Sequence, residues 1–285
     1  MDQRIINLFD EYTHKPLRRD EFIGRLVKLT GSMAAAMAVL PLLEVNYAHA
    51  ATVPENVAGI EGTDITYEGD GVTMKAYLVK PEGVTKTGAV LVIHENRGLN
   101  PHIRDVTRRV AQAGFIALAP DALSPFGGTP QNEDEARDQI GKLDATKNLN
   151  NFLKGLDHLS TLPESNGKTG CVGFCWGGAM ANQLAVHAPA LKAAVPYYGR
   201  QPDAADVPKI KAAVQLHYGG LDERINAGIP AYEAALKAAG VKYELYVYEG
   251  AQHAFNNDTA PTRYNEAAAK LAWERTLRLF KETLL

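Results

Sequence analysis

Cysteine is scarce in this chain: two residues in 285, Cys171 and Cys175. That number excludes a disulfide framework, and the pair lacks zinc-type spacing. No apolar run reaches the roughly 18–20 residues of a membrane-spanning helix, so no stable membrane insertion is expected. A basic surface is missing as well. The formal net charge is −3, from 30 Lys+Arg against 33 Asp+Glu, and no basic stripe appears, which argues against a nucleic-acid partner. The chain has no internal repeat and no low-complexity tract. What it does have is a hydrophobic content of 46%, enough at this length for the large core of one α/β domain.

From residue 59 onward, strand and helix signals alternate. A hairpin is predicted over 63–67 and 72–79, across Glu68-Gly69-Asp70-Gly71. The continuous apolar run 89–94 reads as a parallel strand covered on both faces. A helix over 103–113, a strand over 115–119, a Pro- and Gly-rich loop over 122–131 and a helical region over 132–160 follow. Further strands are predicted at 171–174, 193–198, 212–218 and 243–248, with helices at 179–186, 227–239 and 260–283. This order predicts a mostly parallel central sheet with helices on both faces, occupying residues 57–285.

Residues 1–56 form an N-terminal extension of a different character. Paired arginines (Arg18-Arg19), a short apolar stretch and Ala48-His49-Ala50 before Ala51 resemble a twin-arginine export signal, which would send the protein to the periplasm. An extra residue separates the arginine pair from Phe22, and Pro41 and Glu44 interrupt the apolar run. The alternative is a pair of amphipathic helices docked on the domain of a cytoplasmic protein, with Ile5, Ile6, Leu8, Phe9, Phe22, Leu26 and Leu29 facing inward.

The stretch with the clearest chemistry is Gly173-Phe174-Cys175-Trp176-Gly177-Gly178. A short apolar strand runs into a cysteine, then two glycines, then a helix-forming segment, in the Gly-x-Cys-x-Gly spacing of a nucleophile elbow. Such a turn is strained, and side chains two positions either side of the nucleophile would clash with the adjoining strand and helix. A buried structural cysteine is the plainer alternative, but it would leave the three glycines without a reason. Cys171, mid-strand, reads as core.

A thiol nucleophile needs a base and an oriented histidine. Reactive groups in parallel sheets collect at the carboxyl ends of strands. Two later strand ends offer Gly219-Gly220-Leu221-Asp222 and Glu249-Gly250-Ala251-Gln252-His253. Asp222 is the candidate acid, with Glu223 or a simple turn aspartate as alternatives, and His253 is the candidate base. The order nucleophile, acid, histidine is that of α/β-hydrolases. In that architecture the oxyanion N–H groups come from the residue after the nucleophile, Trp176, and from the loop after an earlier strand, here Asn96. Glu95 in that loop is either a carboxylate tuning the thiol or a surface residue. His94 and His217 lie within apolar strand ends and read as packed. His14, His49, His102, His158 and His187 have no strand-end context and read as surface or packing.

Taken together, these residues resemble the dienelactone hydrolase family (carboxymethylenebutenolidases) over roughly residues 59–285. The likeness rests on Val92-Ile93-His94-Glu95 with Gly98, Ala119-Pro120-Asp121, the Cys175 elbow, Gly219 to Asp222, and Gly250 to Phe255. It implies an α/β-hydrolase fold and hydrolysis of a small ester or lactone through a Cys175-Asp222-His253 triad, without metal or organic cofactor. It also implies that Glu95 contacts the resting cysteine and helps activate it. The family's arginine after the catalytic histidine is missing from His253-Ala254-Phe255-Asn256-Asn257-Asp258, and the 122–137 loop offers only Arg137. Arg97, Phe126 and Asn257 are expected to line the substrate pocket. Other carboxylester or phosphotriester hydrolysis and acyl transfer on the same triad are the enzymatic alternatives. A ligand-binding pseudo-hydrolase is the non-enzymatic one.

Overall fold

The computed structural model describes residues 1–15, 17–45 and 52–285. Its centre is an eight-stranded sheet in the order β1-β2-β4-β3-β5-β6-β7-β8. The strands are β1 (Ile60–Glu68), β2 (Thr73–Pro81), β3 (Thr87–Ile93), β4 (Ile116–Pro120), β5 (Ser165–Phe174), β6 (Ala193–Tyr197), β7 (Ala213–Gly219) and β8 (Tyr243–Tyr248). β1 and β2 form the antiparallel hairpin, and β2 also runs antiparallel to β4. All other neighbours are parallel. The expected mostly parallel sheet is therefore present.

Side chains on the central strands alternate between two cores, as the period of two requires. Leu91 and Cys171 point into one, with Phe152 and Leu156 of α6 (Ala145–Thr161), Leu184 of α7 (Trp176–His187) and Leu236 of α9 (Ile229–Ala239). Val90, Val92 and Val172 point into the other, with Val106 and Val110 of α4 (Pro101–Gln112) and Phe280 of α10 (Glu266–Leu284). Burial pushes the Cys171 thiol up to about 12, which fits a core residue.

Three boundaries differ from the sequence reading. The 132–160 helical region is two helices, α5 (Glu133–Ile140) and α6, because Asn132 and Asp144 each cap a separate start. The predicted helix at 227–239 is preceded by a single turn, α8 (Glu223–Asn226), whose cap is Asp222. α10 begins at Glu266 because Asn265 accepts from Ala268 N. The extension folds as α1 (Gln3–His14), α2 (Arg19–Thr30) and α3 (Met33–Leu43). Its apolar residues form a separate cluster, with Tyr12 stacked on Phe22 at 4.5 Å and Phe22 and Leu26 fully buried. No single described helix is long and apolar enough to cross a membrane. The Ala48-His49-Ala50 site lies outside the described residues.

The extension meets the domain through polar contacts at the C-terminal end of α1, where helix carbonyls lack intrahelical partners. Asn96 Nδ2 donates to Thr13 O at 2.7 Å, and Arg137 donates to Tyr12 O at 3.2 Å. Tyr12 Oη donates to Asp134 at 2.7 Å, and Arg224 reaches Asp10 at 3.3 Å. The last turn of α1 is thus held against the loops at the carboxyl ends of the strands.

Candidate active site

β5 delivers Cys175 at φ 56° and ψ −113°, a backbone conformation that non-glycine residues rarely adopt. The turn is tight on every side. A Cβ at Gly173 would sit 2.0 Å from Gly177 O. One at Gly177 would lie 2.4 Å from His94 O, and one at Gly178 would lie 2.5 Å from Tyr197 O. Cys175 N donates to Tyr197 O at 3.0 Å and locks the elbow to the end of β6. Trp176 opens α7, so its N–H has no acceptor within the helix. Its ring stacks on His94 at 5.3 Å and meets Phe152 edge-on at 6.1 Å.

β7 and β8 bring the other two residues together. A Cβ at Gly219 would lie 2.5 Å from Gln252 O, so the glycine lets the β7 end pass directly beside the 251–253 backbone. Asp222 Oδ2 is then 2.5 Å from His253 Nδ1, while Asp222 Oδ1 accepts from Ile225 N at 3.2 Å. Both side chains are buried, and His253 Nε2 has no hydrogen-bond partner among the described residues. Glu223, the alternative acid, lies beyond Asp222 in the first turn of α8.

The sulfur's own partner is a residue that the sequence reading set aside. His14 Nε2 lies 3.0 Å from Cys175 Sγ. The His14 ring meets that of His253 edge-on at 4.6 Å, and its Nδ1 faces Asp10 Oδ1 at 3.1 Å and Asp10 O at 2.8 Å. His14 is therefore neither surface nor mere packing. It comes from the extension, 161 positions from Cys175, so no strand-end argument could reach it. The signal available in the sequence is the Asp10–His14 pair at i,i+4, which places a carboxylate beside an imidazole on one helix face.

Glu95 is buried, but its carboxylate is held elsewhere: Asn257 Nδ2 donates to Oε2 at 2.8 Å and Tyr198 Oη to Oε1 at 3.5 Å. No Glu95–Cys175 hydrogen bond occurs among the described residues; in this arrangement the thiol is engaged by His14. Asn96 spends its side chain on α1. His94 and His217 are packed as expected, and burial pushes both imidazoles below the usual range.

A cavity of about 730 Å³ opens over Cys175, between Trp176, Tyr198, Ile225 and His253. None of the three residues expected to line the substrate pocket lines this cavity. Arg97 instead lines a small adjoining cleft that also contains Cys175 and His253, and donates to Glu133 O at 2.6 Å. Phe126 sits on a one-turn 3-10 helix at the surface, 43% exposed. Asn257 is buried behind Glu95. Loop position along the chain does not reveal which way a side chain faces. The cavity wall instead carries Arg137, Arg200, Arg224, Lys15 and Lys142 against one acid, Asp138. Arg137 and Arg224 are engaged by Asp138 and Asp10, whereas Arg200 and Lys142, both exposed, have no ion-pair partner among the described residues. His14, Cys175 and His253 place one ligand atom each within 4.8 Å of one another, so they are the described residues that could hold a metal ion.

The loop carrying His253 is fastened to α4 by Asp258, which is 3.0 Å from His102 Nδ1 and paired with Arg109. Burial alone would raise the Asp258 carboxyl, but His102 and Arg109 outweigh it and lower it from 3.8 to about 2. A depressed carboxyl contributes stability above its unfolded pKa and loses it as pH falls through the folded value. The Asp258→Asn variant is therefore expected to lose about 2 kcal/mol at neutral pH. The difference from the parent should shrink as pH falls from about 4 towards about 2, as read by urea denaturation at each pH.

A model of the dienelactone hydrolase family matches residues 74–284. A "putative carboxymethylenebutenolidase" of Escherichia coli O157:H7 is 35% identical over 242 residues, covering 79% of this chain and 87% of its own. Among solved structures, a dienelactone hydrolase-like promiscuous phosphotriesterase from metagenomic libraries superposes with a TM-score of 0.72 at 25% identity, covering 80% of this chain and 100% of its own. A dienelactone hydrolase from Anabaena variabilis gives a TM-score of 0.63 at 25% identity, with the same coverage.

Proposed function

Because the chain belongs to the dienelactone hydrolase family, and so is a hydrolase of esters acting on small molecules, we propose that Cys175 is its nucleophile and that its substrates are esters or lactones bearing a carboxylate. The observation that carries the mechanism is the strained elbow at Cys175, facing a histidine whose far nitrogen is fixed by a buried aspartate at 2.5 Å. Cys175 Sγ gives up its proton to an imidazole and attacks the carbonyl carbon. The C–O π pair moves onto oxygen, where the N–H groups of Trp176 and Asn96 receive it. Collapse breaks the bond to the leaving oxygen, which takes a proton from the imidazolium. Water then gives a proton to His253 Nε2 and attacks the thioester, and sulfur leaves as thiolate. Asp222 holds the His253 tautomer and stabilises its charged form.

The substrate class follows from the wall of the cavity. Arg200 and Lys142 offer unpaired cations to an anionic substituent, whereas a neutral phosphotriester would gain nothing from them. Arg200, on the loop after β6, supplies what the segment after His253 lacks. A panel of aryl esters, lactones with and without a carboxylate, and phosphotriesters tests this reading by kcat/KM. Carboxylate-bearing lactones should lead, and a lead by phosphotriesters would overturn it. The Arg200→Ala variant should raise KM for carboxylate-bearing substrates about tenfold and leave neutral esters within about twofold.

For the extension, retention is the proposal consistent with this chemistry. Cleavage after Ala50 would carry Asp10 and His14 away from the cavity. The N-terminal mass of the protein from its native host decides between retention and export, and an N-terminus at Ala51 would favour the signal reading.

A further inference from the structure

We infer that His14 and Asp10 form a second histidine–carboxylate dyad in the active site, supplied by the N-terminal extension, and that His14 rather than Glu95 is the base that holds the proton of the resting Cys175 thiol. The inference rests on the thiol chemistry proposed above and assigns a catalytic residue outside the matched family segment.

Two dyads converge on one sulfur. His253 is fixed through Nδ1 by the Asp222 carboxylate at 2.5 Å. His14 Nδ1 is hydrogen-bonded to Asp10 O at 2.8 Å and Thr13 Oγ1 at 2.9 Å, with Asp10 Oδ1 at ion-pair distance, 3.1 Å. In each, oxygens at Nδ1 and a nearby carboxylate direct Nε2 at the reaction centre, which is how a histidine is prepared to accept a proton from its other side. Among the described residues only His14 makes a hydrogen bond to the sulfur, at 3.0 Å, while His253 Nε2 is buried and has no partner. That division gives each imidazole a task. His14 exchanges the thiol proton: S–H breaks, N–H forms, and the charge pair is thiolate with imidazolium. His253 accepts the proton of the water that cleaves the thioester and hands it to the sulfur as the C–S bond breaks, which restores the S–H for the next exchange with His14. With one histidine, the same nitrogen must serve both steps.

The surroundings agree. Besides Asp10, the groups facing His14 are Thr13, Cys175 and His253, with Arg224 behind Asp10 and with Glu95, Arg97, Glu133 and Arg263 around the adjoining small cleft. Burial alone would lower the His14 imidazole, but the sulfur's charge and the Asp10 carboxylate outweigh it, and the net direction is upward. Asp10 is driven well below the usual carboxylate range: burial opposes this, and the charges of His253, His14 and Arg224 prevail. α1 is anchored at both ends: Gln3 and Gln252 pair at its start, and at its end Asn96 and Arg137 donate to the carbonyls of Thr13 and Tyr12, just before His14.

The test uses the full-length protein with His14→Gln, which keeps a polar side chain but no base, and Asp10→Asn, which keeps His14 in place. Iodoacetamide labelling of the Cys175 peptide is followed by mass spectrometry alongside kcat/KM and KM for a neutral aryl ester. His14→Gln should slow labelling at pH about 6 at least tenfold while the rates converge near pH 10, and should lower kcat/KM about 100-fold with little change in KM. Asp10→Asn should move both in the same direction by a smaller factor. Added imidazole should restore part of the rate to His14→Gly and none to Cys175→Ala. Unchanged labelling and turnover in His14→Gln would overturn the inference, as would a gain in activity, which would make α1 a plug. Turnover by Cys175→Ala would instead overturn the thiol reading itself; a dead Cys175→Ala beside a fully active His14→Gln would sink only the second dyad.

Discussion

Cys175→Ala is expected to lower kcat/KM for small aryl esters by about 10⁴-fold or more, with the protein still folded. The size follows from what is removed. Without sulfur no acyl-enzyme forms, and the two histidines retain nothing to activate except water at an unfavourable angle. The fold should tolerate the change because alanine fits the same turn, and among the described residues the Cys175 side chain makes no hydrogen bond except the one to His14. Cys175→Ser is the more informative companion. A hydroxyl is a far weaker acid than a thiol, and the site pairs its sulfur with imidazoles positioned for a thiolate. Serine should therefore retain only a small fraction of the activity. Full esterase activity in Cys175→Ser would show that the surrounding groups are not specialised for sulfur.

The second large effect is on stability. Gly173→Ala places a methyl 2.0 Å from Gly177 O and 2.4 Å from its carbonyl carbon, and both are backbone atoms of α7, the helix that follows the elbow. Neither can swing aside as a side chain would. The turn already holds Cys175 at positive φ, so relieving the clash means displacing α7 from β5. A loss of about 4 kcal/mol is expected, or about 10 °C in Tm for a domain of this size. Gly24→Ala is the control: no atom lies within 4 Å of the added methyl, inside α2. There the expected change is neutral to a gain of about 1 kcal/mol. Equal losses at both positions would mean that the elbow is not the strained element described here.

Much of this was legible from residue order. The elbow glycines, the apolar run of β3 and the two strand ends bearing Asp222 and His253 are local patterns, and local patterns fix local geometry. Gly219 was visible too, although its reason, passage beside Gln252 O, needs the third dimension. What escaped the sequence was facing and company. Arg97, Phe126 and Asn257 follow motifs in sequence yet turn toward Glu133, solvent and Glu95. Arg200 sits in a loop that reads only as the end of a strand, and nothing in its neighbours announces the cavity. His14 is the sharpest case. Its importance depends on α1 docking across the mouth of the site, a long-range contact made by polar caps rather than by any periodic apolar face shared with the domain. The 132–160 region merged two helices because composition changes little across Gly141 to Asp144, and only the separate caps divide them.

The central claim, covalent catalysis at sulfur 175, is tested most directly by quenching the enzyme in acid during turnover of an aryl acetate and mapping the peptides. An acetyl group on the Cys175 peptide, greatly increased in His253→Ala because deacylation stalls, is the predicted result. An acetyl group on any other residue, or hydrolysis in His253→Ala with Cys175 never acylated, would contradict it.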